Sequence, residues 1–194
     1  MLTVAVEPAG GRPRDSDLSQ AELERAVTMT STRRDEFVRG RSLLRRLVAR
    51  EAGGSPREVP LEAQPGGRLR VAGARIGVSL SHTAGWTAAA LCFGGDVGID
   101  LQEPPLHLDT RLVRRCCGDD AELVLALPPR ERAAAFARVW AVQEACVKAL
   151  GLGLAGAPWR IPVPLGSRAG TWRDVHWRVL DTLAPTALAV AAGG

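Results

Sequence analysis

The stretch from Arg130 to Leu150, fenced by Pro128-Pro129 on one side and Gly151 on the other, carries the longest helical pattern in the chain. Phe136, Val139, Val142, Cys146 and Leu150 recur at the three-to-four spacing of one apolar helix face. Trp140, Glu144 and Lys148 stand four apart on a second stripe that faces roughly away from it. A carboxylate and an ammonium are thereby offered together at the edge of a buried face. Taken by itself, such an i,i+4 pair is an ordinary ion pair worth roughly a few tenths of a kcal/mol. What it can do depends on the groups that the rest of the chain brings to this helix.

Those groups come from a chain of 194 residues, 46% of them hydrophobic, enough for one domain or two small lobes with a sizeable core. No apolar run reaches membrane-spanning length, and the N-terminal residues lack the basic and apolar regions of a signal peptide. The expectation is a cytoplasmic protein with no membrane partner. Cys92, Cys116, Cys117 and Cys146 form no C-x-x-C pair, and His82, His107 and His176 complete no zinc pattern. The net charge of +4 favours an anionic partner: a phosphate-rich ligand, an acidic protein or nucleic acid. No nucleic-acid motif accompanies the arginine-rich N-terminal region, so no nucleic-acid partner is expected.

Along the chain, residues 2–6 alternate as a first strand. Ser16, Asp17 and Ser19 are candidate caps for a helix near 19–29. A second helix spans about 32–52 and stops at Gly53-Gly54. Residues 55–75 are loop-rich, punctuated by prolines and Gly66-Gly67. Three strands follow, at 76–81, 86–93 and 97–102. In the last, Asp100 and Gln102 share the face opposite Val97, Ile99 and Leu101. Asp is a poor strand former, so a requirement other than propensity keeps it there. Glu103-Pro104-Pro105 ends the strand; a helix near 119–127, the long helix, and strands at 175–180 and 187–191 complete the chain. The pattern reads as an α+β protein of two similar lobes, 1–102 and 103–194.

Asp100 and Glu144 are hard oxygen ligands of the kind Mg²⁺ takes, with substrate phosphates completing its shell. His82, Lys148 and the N-terminal arginines suit a polyanion. There is no Walker loop, no G-x-G-x-x-G after a strand and no G-x-S-x-G elbow.

Val97-Gly98-Ile99-Asp100-Leu101 resembles the G-[IV]-D-[IVL]-E motif of the 4′-phosphopantetheinyl transferases, and Trp140-Ala-Val-Gln-Glu144-Ala-Cys-Val-Lys148 resembles their W-x-x-K-E-A-x-x-K motif. Ser81-His82-Thr83 looks like their strand ending in Ser-His-Ser/Thr. Gly66-Gly67-Arg68 stands where the family has Gly-Lys/Arg-Pro, and residues 37–45 are similar to the preceding helix. The resemblance covers nearly the whole chain and is closest to the two-lobed, surfactin-synthetase-activating type.

It implies a monomer of two similar α/β lobes in pseudo-twofold arrangement, with the active site between them. The implied reaction moves the phosphopantetheine arm of coenzyme A to a serine of an acyl or peptidyl carrier protein of polyketide or nonribosomal peptide biosynthesis. Asp100 and Glu144 match the Mg²⁺ ligands, and Glu144, or a metal-bound water, is the candidate base. Lys148 matches the residue on the pyrophosphate. Ser81, His82, Arg25, Arg33 and Arg68 match positions that hold coenzyme A.

Two positions depart from the pattern. Gln102 replaces the second acid; it offers the metal an amide oxygen but no charge. Gln143 replaces the lysine before Glu144, which would take a positive charge from the phosphate region. Together they raise the alternative of a relative that binds coenzyme A or a carrier protein without efficient turnover.

Overall fold

Alternating strands and two long helices build two antiparallel sheets, each with one of the helices laid on it. The computed structural model describes residues 1–10, 13–64, 67–181 and 186–193. The chain divides into two units, Met1–Gly95 and Asp96–Gly194.

In the first unit the strands are β1 (Leu2–Pro8), β2 (Leu61–Ala63), β3 (Leu69–Val71), β4 (Ile76–His82) and β5 (Trp86–Phe93), in the order β1-β5-β4-β3-β2. β5 pairs along its length with β1 on one side and β4 on the other, which fixes Ser81 opposite Ala88 and His82 opposite Thr87. Helix α1 (Gln20–Val27) starts at Ser19, whose hydroxyl accepts from the Glu22 N–H while the Glu22 carboxylate accepts from the Ser19 N–H. Helix α2 (Ser31–Ala52) buries Leu43, Leu44, Leu47 and Val48 with Val78, Ala89 and Leu91 of the sheet. Arg45 on α2 is 1% exposed, and its charge is paired: Nε donates to Glu22 Oε2 at 2.6 Å and Nη1 to the Pro56, Arg57 and Val59 carbonyls. One guanidinium thus ties α2 to α1 and to the following segment.

In the second unit the strands are β6 (Val97–Gln102), β7 (Ala169–Trp172), β8 (Val175–Leu180) and β9 (Ala187–Gly193), in the order β6-β9-β8-β7. The helices are α3 (Thr110–Cys117), α4 (Ala121–Ala126) and α5 (Pro129–Ala149). All four cysteines are free and buried, and burial pushes the Cys116 and Cys117 thiols up to about 11 and Cys146 to about 12.

The division falls one strand earlier than the expected 102/103 boundary. β6 follows β5 after a short turn but pairs with β9 from Val97↔Ala192 to Gln102↔Ala187, so the second unit takes it. Both faces of β6 are buried from Val97 to Leu101, whereas alternation alone suggested one polar face. β2 and β3 lie within the stretch read as loop; at three residues each they are too short to show a period of two. α3 and β7 were also missed. α3 shows an apolar side of only Val113, Cys116 and Cys117, and its cap, Asp109 accepting from the Arg111 N–H, lies just past a proline-rich run.

Candidate functional site

Helix α5 is buried almost all the way round from Ala135 to Ala149; along that span only Arg138, Trp140, Glu144 and Lys148 are half-buried. The Trp140–Glu144–Lys148 stripe is therefore a narrow opening on an otherwise enclosed helix. Trp140 stacks on Phe136 with ring centroids 6.4 Å apart, a packing role.

Gly98 brings β6 against this helix. A Cβ built on it would lie 2.0 Å from the Ala145 carbonyl oxygen and 2.5 Å from the Ala149 nitrogen. No side chain fits there, so the glycine permits strand and helix backbones to approach. Two residues on, on the same face, Asp100 meets the helix: Lys148 Nζ donates to Asp100 Oδ1 at 2.5 Å and to the Ile99 carbonyl at 3.1 Å. Asp100 is 6% exposed. Burial pushes the Glu144 carboxyl above its ordinary value, and the nearby Asp100 charge pushes it further, against the opposing pull of Lys148. Two carboxylates and one ammonium are thus gathered from β6 and α5.

The donor chemistry fits Mg²⁺. Glu144, a hard carboxylate whose proton affinity the Asp100 charge helps to raise, is relieved by a divalent cation, and Mg²⁺ characteristically takes one or two carboxylates and leaves the remaining positions to water and phosphate. Among the described residues no group of three or more His, Cys, Asp or Glu could hold a metal ion. Gln102 is half-buried at the end of β6; its Nε2 donates to the Glu103 carbonyl at 2.9 Å, and the amide oxygen is the side chain's acceptor.

Gln143 is elsewhere. It is 0% exposed, and its Nε2 donates to the Cys116 carbonyl at 2.7 Å and the Ile161 carbonyl at 2.9 Å. The expectation that it removes a charge from the phosphate region is corrected: the side chain is in the core between α5, the end of α3 and the segment after Arg160. One residue's step along the helix, about 100°, separates it from the stripe carrying Glu144.

In the first unit a cavity of about 360 Å³ is walled by Arg25, Arg33, Phe37, Arg41, Ser81 and His82. The sequence named Arg25, Arg33, Ser81 and His82, and they do meet. Arg68 is half-buried between two residues of the wall, Gly67 and Leu69, but does not itself line the cavity; Gly66 lies outside the described residues. Phe37 and Arg41 were not singled out. The Arg25 and Arg41 guanidiniums lie over the Phe37 ring, 5.5 and 5.3 Å from its centroid. Burial pulls the Arg41 guanidinium below its ordinary value, while Glu22, 3.6 Å away, opposes this. The i,i+4 spacing of Phe37 and Arg41 was a legible signal of a shared face; that Arg25 joins them from α1 was not.

Glu36 lines the same cavity and lies 3.6 Å from His82 Nε2. No helix among the described residues is long and apolar enough to cross a membrane.

Residues 96–188, which carry the Asp100–Glu144–Lys148 cluster, match the family model described as the 4′-phosphopantetheinyl transferase superfamily. The chain is 30% identical over 145 residues to the 4′-phosphopantetheinyl transferase HetI of Nostoc sp. (strain PCC 7120), covering 71% of this chain but only 61% of that relative. It is 30% identical over 174 residues to the 4′-phosphopantetheinyl transferase AcpT of Salmonella typhimurium, covering 87% of this chain and 84% of AcpT. With the core motifs inside the matched region and AcpT aligned over most of its length, the chain belongs to the 4′-phosphopantetheinyl transferase superfamily.

Proposed function

We propose that the protein transfers the phosphopantetheine arm of coenzyme A to a serine hydroxyl of an acyl or peptidyl carrier protein. The observation that carries the reading is the cluster of Asp100, Glu144 and Lys148, held by the glycine-permitted contact of β6 with α5. In the reaction the serine oxygen forms a bond to the phosphorus that bears the pantetheine arm. The bond from that phosphorus to the bridging oxygen breaks, and adenosine 3′,5′-bisphosphate leaves with the electron pair.

Asp100, Glu144 and the amide oxygen of Gln102 would hold Mg²⁺. When bound, the ion supplies Lewis-acid neutralisation of the pyrophosphate charge. Glu144 accepts the serine proton. Lys148 carries up to three donors on a flexible stem and steadies the pyrophosphate oxygens. Arg25, Arg33 and Arg41, with Ser81 and His82, take the remaining phosphate and the nucleoside of coenzyme A. Arg41 suits this role because it is already largely desolvated and its contact to Glu22 is long, so an incoming phosphate offers it a closer partner. An acidic carrier-protein surface would complement the net positive charge.

A second reading, binding without turnover, is favoured by Gln102, which lacks the charge of an acid. Gln143 no longer supports it, because its side chain is buried away from the carboxylates. The deciding test is to incubate the protein with coenzyme A, Mg²⁺ and several apo carrier proteins and to read intact carrier mass. A phosphopantetheine-sized increase supports transfer. Binding of coenzyme A by calorimetry with no mass change on any carrier, while a control transferase succeeds, supports the second reading instead.

A further inference from the structure

Gln143 adjoins the reacting centre in sequence but faces the core. The Cys116 carbonyl it binds is in the last turn of α3, where helix carbonyls have no intrahelical partner. The Ile161 carbonyl it binds follows the 3-10 turn Pro158–Arg160. The same two segments are clamped from outside by Arg115, whose guanidinium lies 3.9 Å from the centroid of the Trp159 ring. Gln143 therefore closes a three-way junction from within. Its Oε1, buried in the same place, has no hydrogen-bond partner among the described residues. A buried acceptor left unpaired costs stability, so the side chain is kept for its donors and in spite of its acceptor.

We propose that Gln143 is a positioning residue for the transfer: its amide fixes the rotation of α5 about its axis and so holds Glu144 and Lys148 in register with Asp100. The helix meets β6 through alanines and Gly98, with Phe136, Val139, Val142 and Cys146 in the surrounding core. Two hydrogen bonds from Gln143 to different segments add a directional constraint on its azimuth that apolar contacts, being non-directional, do not supply. Since Glu144 is the next residue, any rotation that lengthens the bonds of Gln143 displaces the Glu144 carboxylate from Asp100. What the position demands is a buried donor. Lysine also meets that demand, because even its neutral amine keeps two N–H groups for the two carbonyls.

This rests on the reading that Glu144 and Lys148 serve phosphopantetheine transfer. The test compares wild type with Gln143→Met, which keeps the length and apolar bulk of the side chain but loses both donors, and with Gln143→Lys, which keeps donors. Transfer to one apo carrier protein is measured well below the unfolding midpoints, with coenzyme A affinity measured separately by calorimetry. For Gln143→Met the expected result is a kcat lower by about 10- to 100-fold, the size of effect an ångström-scale displacement produces. Coenzyme A affinity should change by no more than about threefold, since the arginine cavity is untouched. Gln143→Lys should restore kcat to within about threefold of wild type. A folded Gln143→Met protein with wild-type kcat overturns the proposal. So does a folded Gln143→Lys protein with the low kcat, which also decides the matter if the methionine variant does not fold. A wild-type protein that modifies no carrier removes the transfer reading and this inference with it, whereas an active wild type matched by the methionine variant removes this inference alone.

Discussion

The two long helices, α2 with 22 residues and α5 with 21, meet their sheets in different ways. α2 stands on leucines: Leu43, Leu44 and Leu47 fill the space to β4 and β5, and the arginines toward its N-terminal half reach around a cavity. α5 lies close. Its buried positions include Ala135, Ala137, Ala141, Ala145 and Ala149, and β6 answers with Gly98, so backbone nearly touches backbone. A large-residue interface leaves room and suits long, flexible guanidiniums that take a phosphate from several sides. A small-residue interface removes room and lets short carboxylate side chains from strand and helix converge, as a small divalent cation requires. Helices of nearly equal length thus serve reach in one unit and closeness in the other.

The largest effect should come from the close interface. Asp100→Asn keeps the shape of the side chain but removes its charge, and kcat should fall by about 10³-fold, the several kcal/mol that charge neutralisation at a phosphoryl centre supplies. Coenzyme A affinity, measured by calorimetry, should change far less. Equal losses in both would mean that the cluster only binds and would erase the contrast with the arginine cavity. There the opposite split is expected. Arg41→Ala should raise KM for coenzyme A by about 10- to 100-fold, the worth of a hydrogen bond to a charged group, with kcat little altered. Glu22 keeps Arg45 at 2.6 Å in that variant, so α1 stays anchored. An unchanged KM would take Arg41 out of the ligand site.

A smaller change tests whether Gln102 belongs to the close interface. Gln102→Glu adds a carboxylate where the amide now stands and should lower the half-saturating Mg²⁺ concentration by about tenfold, since ligand charge sets affinity. The same Mg²⁺ requirement in both proteins would place position 102 outside the coordination shell.

How far these features could be read in the sequence follows from the same contrast. The Asp100, Glu144 and Lys148 cluster was legible because each residue violates a local rule: an acid inside a strand, and a charged stripe on an otherwise apolar helix. Their convergence showed only through the resemblance, since no local pattern reports which strand packs on which helix. The strand 97–102 was found and read into the first lobe, because Glu103-Pro104-Pro105 after it marks a break in the chain, whereas the contacts divide the chain at Gly95. Here the pairing with β9, nearly ninety residues away along the chain, wins. Gln143 was misjudged for a related reason: one residue's step along the helix separates a core position from a site position, and the motif prints both side by side. Arg41 was hidden among many arginines, several of which pair with acids on the surface.

The smallest effect expected separates stability from function at the close interface. Burial and Asp100 hold the Glu144 carboxyl above its ordinary value near 4.5. Unfolded, the group ionises near that ordinary value; folded, it holds its proton to a higher pH. Its stabilising contribution is therefore complete below the ordinary value and is lost as pH rises through the folded one. Glu144→Gln cannot ionise and escapes the loss. Without metal, its unfolding midpoint should match wild type near pH 4 and exceed it at pH 7 to 8, read by thermal unfolding at each pH. Added Mg²⁺ should reverse the order, because it binds and stabilises the protein that has both carboxylates. Transfer should be lost in the variant at every pH. A variant less stable than wild type at pH 7 without metal would mean that the Glu144–Lys148 attraction outweighs the repulsion from Asp100. The two carboxylates would then be a salt-bridge network and not a cation site.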